Sequence, residues 1–136
     1  MDVFSVPREG LLLASDFEAL PPLLSWTDQD GDVTVVHIAG QVDMATEPAL
    51  STAVMDVLDG SSSLVIADLT GVTFFGVTGL KILIHAHEIA KRRQRHFRVV
   101  LGTGAARQPL QATGFEQILA VHDTLEDALK RRRRRV

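Results

Sequence analysis

Thr78 lies between a predicted strand and a predicted helix, where its hydroxyl could bind an anion or accept a phosphate. The apolar run at residues 64–69 is typical of a strand buried on both faces. From residue 80 onward apolar side chains recur at steps of three and four, which predicts a helix from Thr78 to about residue 93. A threonine at a helix start can accept a backbone N–H bond, and that end of a helix attracts anions. Thr78 is therefore an N-cap that either only caps the helix or also accepts a phosphate.

Other side chains with catalytic or metal-binding potential lack the partners that such chemistry needs. Asp43 and Asp68 could form an acid–base pair, but no Ser/His or Cys/His set supplies a nucleophile. The five histidines show no metal-site spacing, and His85 and His87 would face different sides of a helix. The segment GTGAA at residues 102–106 follows a predicted strand but lacks the lysine of a phosphate-binding loop. We therefore expect no enzyme activity, no metal and no cofactor.

Length and composition are those of one ordinary domain with short extensions. A chain of 136 residues is long enough to bury a hydrophobic core without disulfides or structural metal ions. Cysteine does not occur in the sequence, which excludes disulfides, thiolate nucleophiles and Cys-ligated metals. The apolar runs are too short for a bilayer, and the first residues, MDVFSVPRE, include acidic side chains where a signal peptide is basic. We expect a soluble cytoplasmic protein.

Charge is distributed unevenly along the chain. The formal net charge is -3, but residues 130–135 contribute six positive charges, which leaves eight basic against seventeen acidic side chains elsewhere. A terminal run of like charges is usually solvated, because its members repel one another and have nothing apolar to bury. The alternative is an arm that contacts an anionic membrane surface or nucleic acid. Nucleic acid is the less favoured partner, because no aromatic or groove-reading motif accompanies the run.

The elements that must position these residues alternate between strand and helix. Two runs of high β-propensity flank the turn DQDG at residues 28–31 and predict a hairpin. Helical periods then separate short apolar strands through the second half of the chain. Such alternation implies helices packed on a central sheet, an α/β architecture. Residues 1–22 form an extension whose leucines could pack on the domain, and residues 130–136 form a basic tail.

The order and spacing of several segments resemble the STAS domain. They are GQVDMAT at residues 40–46, DLTGVTFF at 68–75, TGL at 78–80, TGF at 113–115 and DTLEDAL at 123–129. The expected domain is residues 23–129. More narrowly, the chain is similar to the stand-alone bacterial anti-sigma factor antagonists. The resemblance implies a small mixed central sheet with about four helices packed mainly on one side.

The resemblance also implies a surface that binds a partner, built from the loop after the second strand and the start of the helix at Thr78. The residues of this sequence that fall there are Gly40, Asp43, Thr46, Phe75, Gly76, Val77, Thr78, Gly79 and Leu80. Side chains alternate across a strand, so one ring of Phe74 and Phe75 enters the core and the other can point outward. The alternative is that the leucines of the extension cover both rings.

At the helix start the chain departs from the family pattern. The family normally has Asp-Ser-Ser-Gly or Asp-Ser-Thr-Gly there, and a kinase-like anti-sigma factor phosphorylates the second hydroxyl. Residue by residue, these positions are Gly76, Val77, Thr78 and Gly79, so the acid and the first hydroxyl are missing here. Thr78 is the phosphoacceptor candidate that the resemblance implies. A phosphate would add about two negative charges at pH 7 and could repel an acidic partner without unfolding the helix.

Two functions follow from the resemblance. In the first, the chain binds an anti-sigma factor, thereby regulates sigma-factor-dependent transcription, and is switched by phosphorylation at Thr78. In the second, it is a STAS scaffold or ligand-responsive module that no kinase modifies, anchored to an anionic surface through its basic tail.

Overall fold

Within the described part of the chain, the sheet has five strands in the order of the sequence. The computed structural model describes residues 22–130. The strands are β1 (Leu23–Asp30), β2 (Val33–Val42), β3 (Leu64–Phe75), β4 (His96–Val100) and β5 (Ala120–His122), and they lie in the order β1-β2-β3-β4-β5. β1 and β2 are antiparallel and form the predicted hairpin, although β1 continues to Asp30 and the turn is Gly31 and Asp32, whereas the later pairings are parallel. The sheet is therefore mixed, as the resemblance to the STAS domain implies.

Helices pack on both faces of the sheet, and most of them lie on one face. In the described part of the chain they are α1 (Glu47–Leu58), α2 (Val77–Arg92), α3 (Arg107–Thr113), α4 (Leu125–Lys130) and a 3-10 turn at Phe115–Gln117. The first three share the main core, where Leu50, Leu83 and Leu110 are fully buried. α4 packs through Ala128 on a smaller cluster that includes Val35, on the opposite face. The expected fold, with helices mainly on one side, is confirmed.

Strand β3 is longer than the sequence predicts. Its apolar first half is buried, with Val65 and Ile66 at 0 % exposure between β2 and β4, as the continuous apolar run indicates. The strand then continues to Phe75 instead of ending near residue 69. Two register shifts, one between His37 and Ala39 and one between Gly40 and Gln41, each place one extra residue in β3 and keep its second half paired with β2, so this stretch remains extended. The end of β3 is thereby brought beside the end of β2.

The expectations for the two ends of the chain fall outside the described residues. They concern the packing of residues 1–21 and the state of residues 131–136.

Candidate functional site

The loop between β2 and α1 is fixed by the side chains of Asp43 and Thr46. Asp43 Oδ1 accepts hydrogen bonds from the backbone N–H groups of Ala45 and Thr46, both 3.0 Å long. Thr46 is buried, and its Oγ1 donates to the Gln41 carbonyl oxygen at 2.8 Å while accepting from the Asp43 N–H at 3.0 Å. Local side-chain bonds of this kind hold a loop in one conformation. Met44 is thereby held in a fixed, solvent-exposed place.

The junction between β3 and α2 lies against this loop. The Gly76 N–H donates to the Val42 carbonyl oxygen at 2.8 Å, which joins the junction to the end of β2. A Cβ atom on Gly76 would lie 3.3 Å from that oxygen and 4.0 Å from the Asp43 Cα, so the two backbone segments nearly touch. The ends of the parallel strands β2 and β3 therefore form one continuous surface.

Three large apolar side chains are exposed on these two adjoining segments, and together they are termed the apolar surface. Phe74 is 53 % exposed, Val77 67 % and Met44 79 %. The Phe74 ring leans over the junction, with its Cε2 atom 3.5 Å from the position of a Cβ on Gly76. Clustered exposed apolar groups on a well-ordered backbone are typical of protein–protein contacts.

Several residues expected on the partner surface lie beneath it. Phe75 and Leu80 are buried, and a Cβ on buried Gly79 would be 2.6 Å from Phe75 Cζ and 2.8 Å from Val42 Cγ1. These residues support the surface and do not reach solvent. Because side chains alternate along β3, the ring that faces outward is Phe74, whereas the resemblance pointed to Phe75.

Thr78 does not cap the helix. α2 begins one residue earlier, at Val77, and its N-cap is Gly76, which offers no side-chain bond. The Thr78 Oγ1 atom has less than 1 Å² of accessible surface and no hydrogen-bond partner among the described residues. A buried hydroxyl without a partner costs about 1–3 kcal/mol. The expectation of an N-cap is wrong, and a kinase would meet an enclosed hydroxyl, not an exposed one.

A polar cluster that the sequence did not reveal lies on the face of the sheet that carries α4. His37 Nδ1 is 2.8 Å from Asp68 Oδ2, and His37 Nε2 is 2.9 Å from Asp28 Oδ2. The Trp26 ring stacks on the imidazole, with centroids 5.2 Å apart and an interplanar angle of 11°. Trp26, His37 and Asp68 are directly paired across β1, β2 and β3. Sequence reasoning missed the cluster because it depends on strand register.

The carboxylates considered for acid–base chemistry are both engaged in local structure. Asp68 Oδ1 accepts bonds from the Thr70 N–H and hydroxyl, and its other oxygen contacts His37. Asp43 organises its own loop. Among residues 22–130, His, Asp and Glu side chains form no group of three placed to hold a metal ion. Within the same range, each helix is too short or too polar to cross a bilayer.

We expect Asp43→Ala to loosen the β2–α1 loop and to lower the free energy of unfolding by about 1–2 kcal/mol, because two N–H bonds lose their acceptor. Urea unfolding followed by Trp26 fluorescence measures this cost, and amide exchange at Ala45 and Thr46 reports the loop itself. Asp43→Asn retains an Oδ1 acceptor and is the matched control. Equal exchange in both variants would contradict the role given to the carboxylate oxygen.

Comparisons with known proteins match most of the chain. Residues 27–128 match the model of the STAS domain family, a span that contains the apolar surface. Over 102 residues the chain is 33 % identical to the anti-sigma-F factor antagonist RsfB of Mycobacterium tuberculosis, covering 75 % of this chain and 82 % of RsfB. RsfA, an anti-sigma-F factor antagonist of the same organism, is 28 % identical over 97 residues, which is 70 % of this chain and 76 % of RsfA. The crystal structure of an anti-sigma factor antagonist from Mycobacterium paratuberculosis superposes with a TM-score of 0.73 at 34 % identity, covering 79 % of this chain and 92 % of that one.

Proposed function

Because this chain belongs to the STAS domain family, we propose that it is an anti-sigma factor antagonist. It binds an anti-sigma factor in the cytoplasm, occupies the surface that would otherwise hold a sigma factor, and so releases the sigma factor for transcription. The observation that carries the proposal is the 33 % identity to an anti-sigma-F factor antagonist over 102 residues. The protein acts by binding, and the proposal assigns it no reaction of its own.

The apolar surface is the part of the molecule that we assign to this partner. Its side chains are large, exposed and held on backbone that Asp43, Thr46 and Gly76 fix in place. A preformed surface loses little conformational entropy when it binds, so more of the contact energy appears as affinity. Gly76 and Val77 make this region less acidic than the usual family motif, which favours a partner with a matching apolar patch.

We propose that phosphorylation switches partner binding and that Thr78 is the phosphoacceptor. Its hydroxyl is enclosed, but it forms no hydrogen bond with any residue between 22 and 130 that would have to be broken when the side chain turns outward. Phosphate at the second residue of α2 would lie at the positive end of the helix dipole and would place about two negative charges beside the apolar surface. The modified protein would then lose affinity for its partner while remaining folded.

One experiment tests the partner and the switch separately. The full chain is titrated calorimetrically with the anti-sigma factors of its own organism, first without nucleotide and then after incubation with Mg-ATP, and phosphate is located by mass spectrometry. We expect one anti-sigma factor to bind without nucleotide and to release its sigma factor. Absence of binding to every candidate contradicts the antagonist function. Binding without phosphate at Thr78, or labelling that persists in Thr78→Val, contradicts the switch alone and supports a scaffold that no kinase modifies.

A further inference from the structure

An open groove of about 490 Å³ lies on the sheet face opposite the main core, between the β1–β2 hairpin and α4. Its lining has an apolar and an acidic part. The apolar side chains are Val33, Val35, Leu125 and Leu129. Carboxylates of Asp28, Asp30 and Glu126 lie along the same lining, and Lys130 is at the end where the described chain stops.

The acidic side chains of this groove can form ion pairs with a cationic partner. Asp28 uses one oxygen, Oδ2, for His37, and its side chain is 74 % exposed. Asp30 and Glu126 are exposed and form no ion pair with any residue between 22 and 130. An apolar floor beside unpaired carboxylates suits arginine, whose aliphatic stem covers apolar surface while its guanidinium binds a carboxylate in a forked geometry.

We propose that the groove is the docking site of this chain's own basic segment, residues 131–136. The segment has the sequence RRRRRV and follows directly on Lys130, which already lines the groove. Six extended residues reach about 20 Å, and they need only turn back from the end of α4 to pass Glu126 and the hairpin. Tethering gives such a segment a millimolar effective concentration at the groove. The rest of the chain carries eight more acidic than basic side chains, so its field also favours the folded-back position.

Docking has a consequence for what the basic segment can contact. While its arginines lie along the groove, they are withheld from anionic surfaces, and an anion must compete with Asp28, Asp30 and Glu126 to recruit them. The attraction between the exposed charges is screened by salt, since the Debye length falls from about 10 Å at 0.1 M to about 3 Å at 1 M.

The absence of cysteine from the sequence makes a site-specific label straightforward. A nitroxide is attached to Val136→Cys in the full chain, and paramagnetic broadening of backbone amides is measured at low and at high salt. We expect loss of signal at the amides of Val35, Leu125 and Leu129 at low salt and recovery of the signal at high salt. Broadening spread evenly over the surface, or confined to another region, overturns the proposal.

Charge variants and mixed samples complete the test. The double variant Asp30→Asn with Glu126→Gln should abolish the groove broadening, whereas Asp56→Asn with Glu88→Gln, exposed acids on α1 and α2, should leave it unchanged. Equal effects of both double variants overturn the assignment to the groove.

A mixture of two samples tests whether the segment docks on its own chain. Isotope-labelled chain without a spin label is mixed with spin-labelled chain without isotopes, and broadening at the groove would show that a second copy is the occupant and would overturn the intramolecular proposal. If the groove variant does not fold, the salt and mixing measurements on Val136→Cys still decide.

Discussion

Gly40→Ala should lower the free energy of unfolding by about 3 kcal/mol or more, because backbone strain and overlap with the neighbouring strand both oppose a side chain there. Gly40 has a φ of +115°, which side chains of L residues rarely adopt. A Cβ atom would also lie 2.1 Å from the Pro22 carbonyl oxygen and 3.2 Å from the Leu23 Cα. These neighbours are backbone atoms and cannot turn away, so relief requires that β1 separate from β2.

The measurement is urea unfolding followed by the fluorescence of Trp26, the single tryptophan, which lies on β1. Gly31→Ala is the control, because Gly31 also has a positive φ, +59°, but no atom of the described residues lies within 4 Å of a Cβ there. It measures the cost of a left-handed φ without a backbone contact, which is about 1–2 kcal/mol. Equal costs for the two variants would show that contact with Pro22 contributes nothing.

The consequence of Gly40→Ala extends to the candidate partner surface. The Gln41 N–H donates to the Pro22 carbonyl oxygen at 3.0 Å, and the Gln41 carbonyl accepts from Thr46 Oγ1 at 2.8 Å. The start of β1 is thus linked through Gln41 to the loop that holds Met44. Displacement at Gly40 should therefore weaken partner binding as well as stability.

Some of this architecture could be predicted from the sequence because it depends on local patterns. The turn-forming residues near position 30 and the flanking β-propensity suffice for the hairpin, but not for the exact place of its turn, which is Gly31 and Asp32 and not residues 28–31. The apolar period from residue 80 predicts α2 to within a residue at each end. The fold class follows from the order of such elements, since consecutive strands joined by helices have few ways to pack.

Other features depend on distant residues meeting and could not be read from local patterns. The enclosure of the Thr78 hydroxyl depends on how α2 packs against the rest of the fold. Thr78, expected as an N-cap, is instead a residue of the first turn of α2. The cluster of His37 and Asp68 requires the register between β2 and β3, which contains two irregularities. Which of Phe74 and Phe75 faces outward depends on the same register.

We expect Phe74→Ala to weaken the complex with the anti-sigma factor by about 2 kcal/mol, or about thirtyfold in Kd, because an aromatic ring at the centre of an interface is a typical hot spot. The Phe74 ring lies 3.5 Å from the position of a Cβ on Gly76, at the junction beside Val77, and the residue is 53 % exposed. The measurement is the calorimetric titration with the anti-sigma factor that binds the unmodified chain.

Ile118→Ala is the matched control for Phe74→Ala. Ile118 is 49 % exposed, close to the value for Phe74, but it follows the 3-10 turn before β5 and is not part of the apolar surface. Both truncations remove exposed side chains and should change the free energy of unfolding by less than about 0.5 kcal/mol, so a loss of affinity in Phe74→Ala reflects the contact itself. If Ile118→Ala weakens the complex as much as Phe74→Ala, the partner does not bind where the ends of β2 and β3 meet. If neither variant weakens the complex, the residues that contribute most to binding lie on another face of the domain.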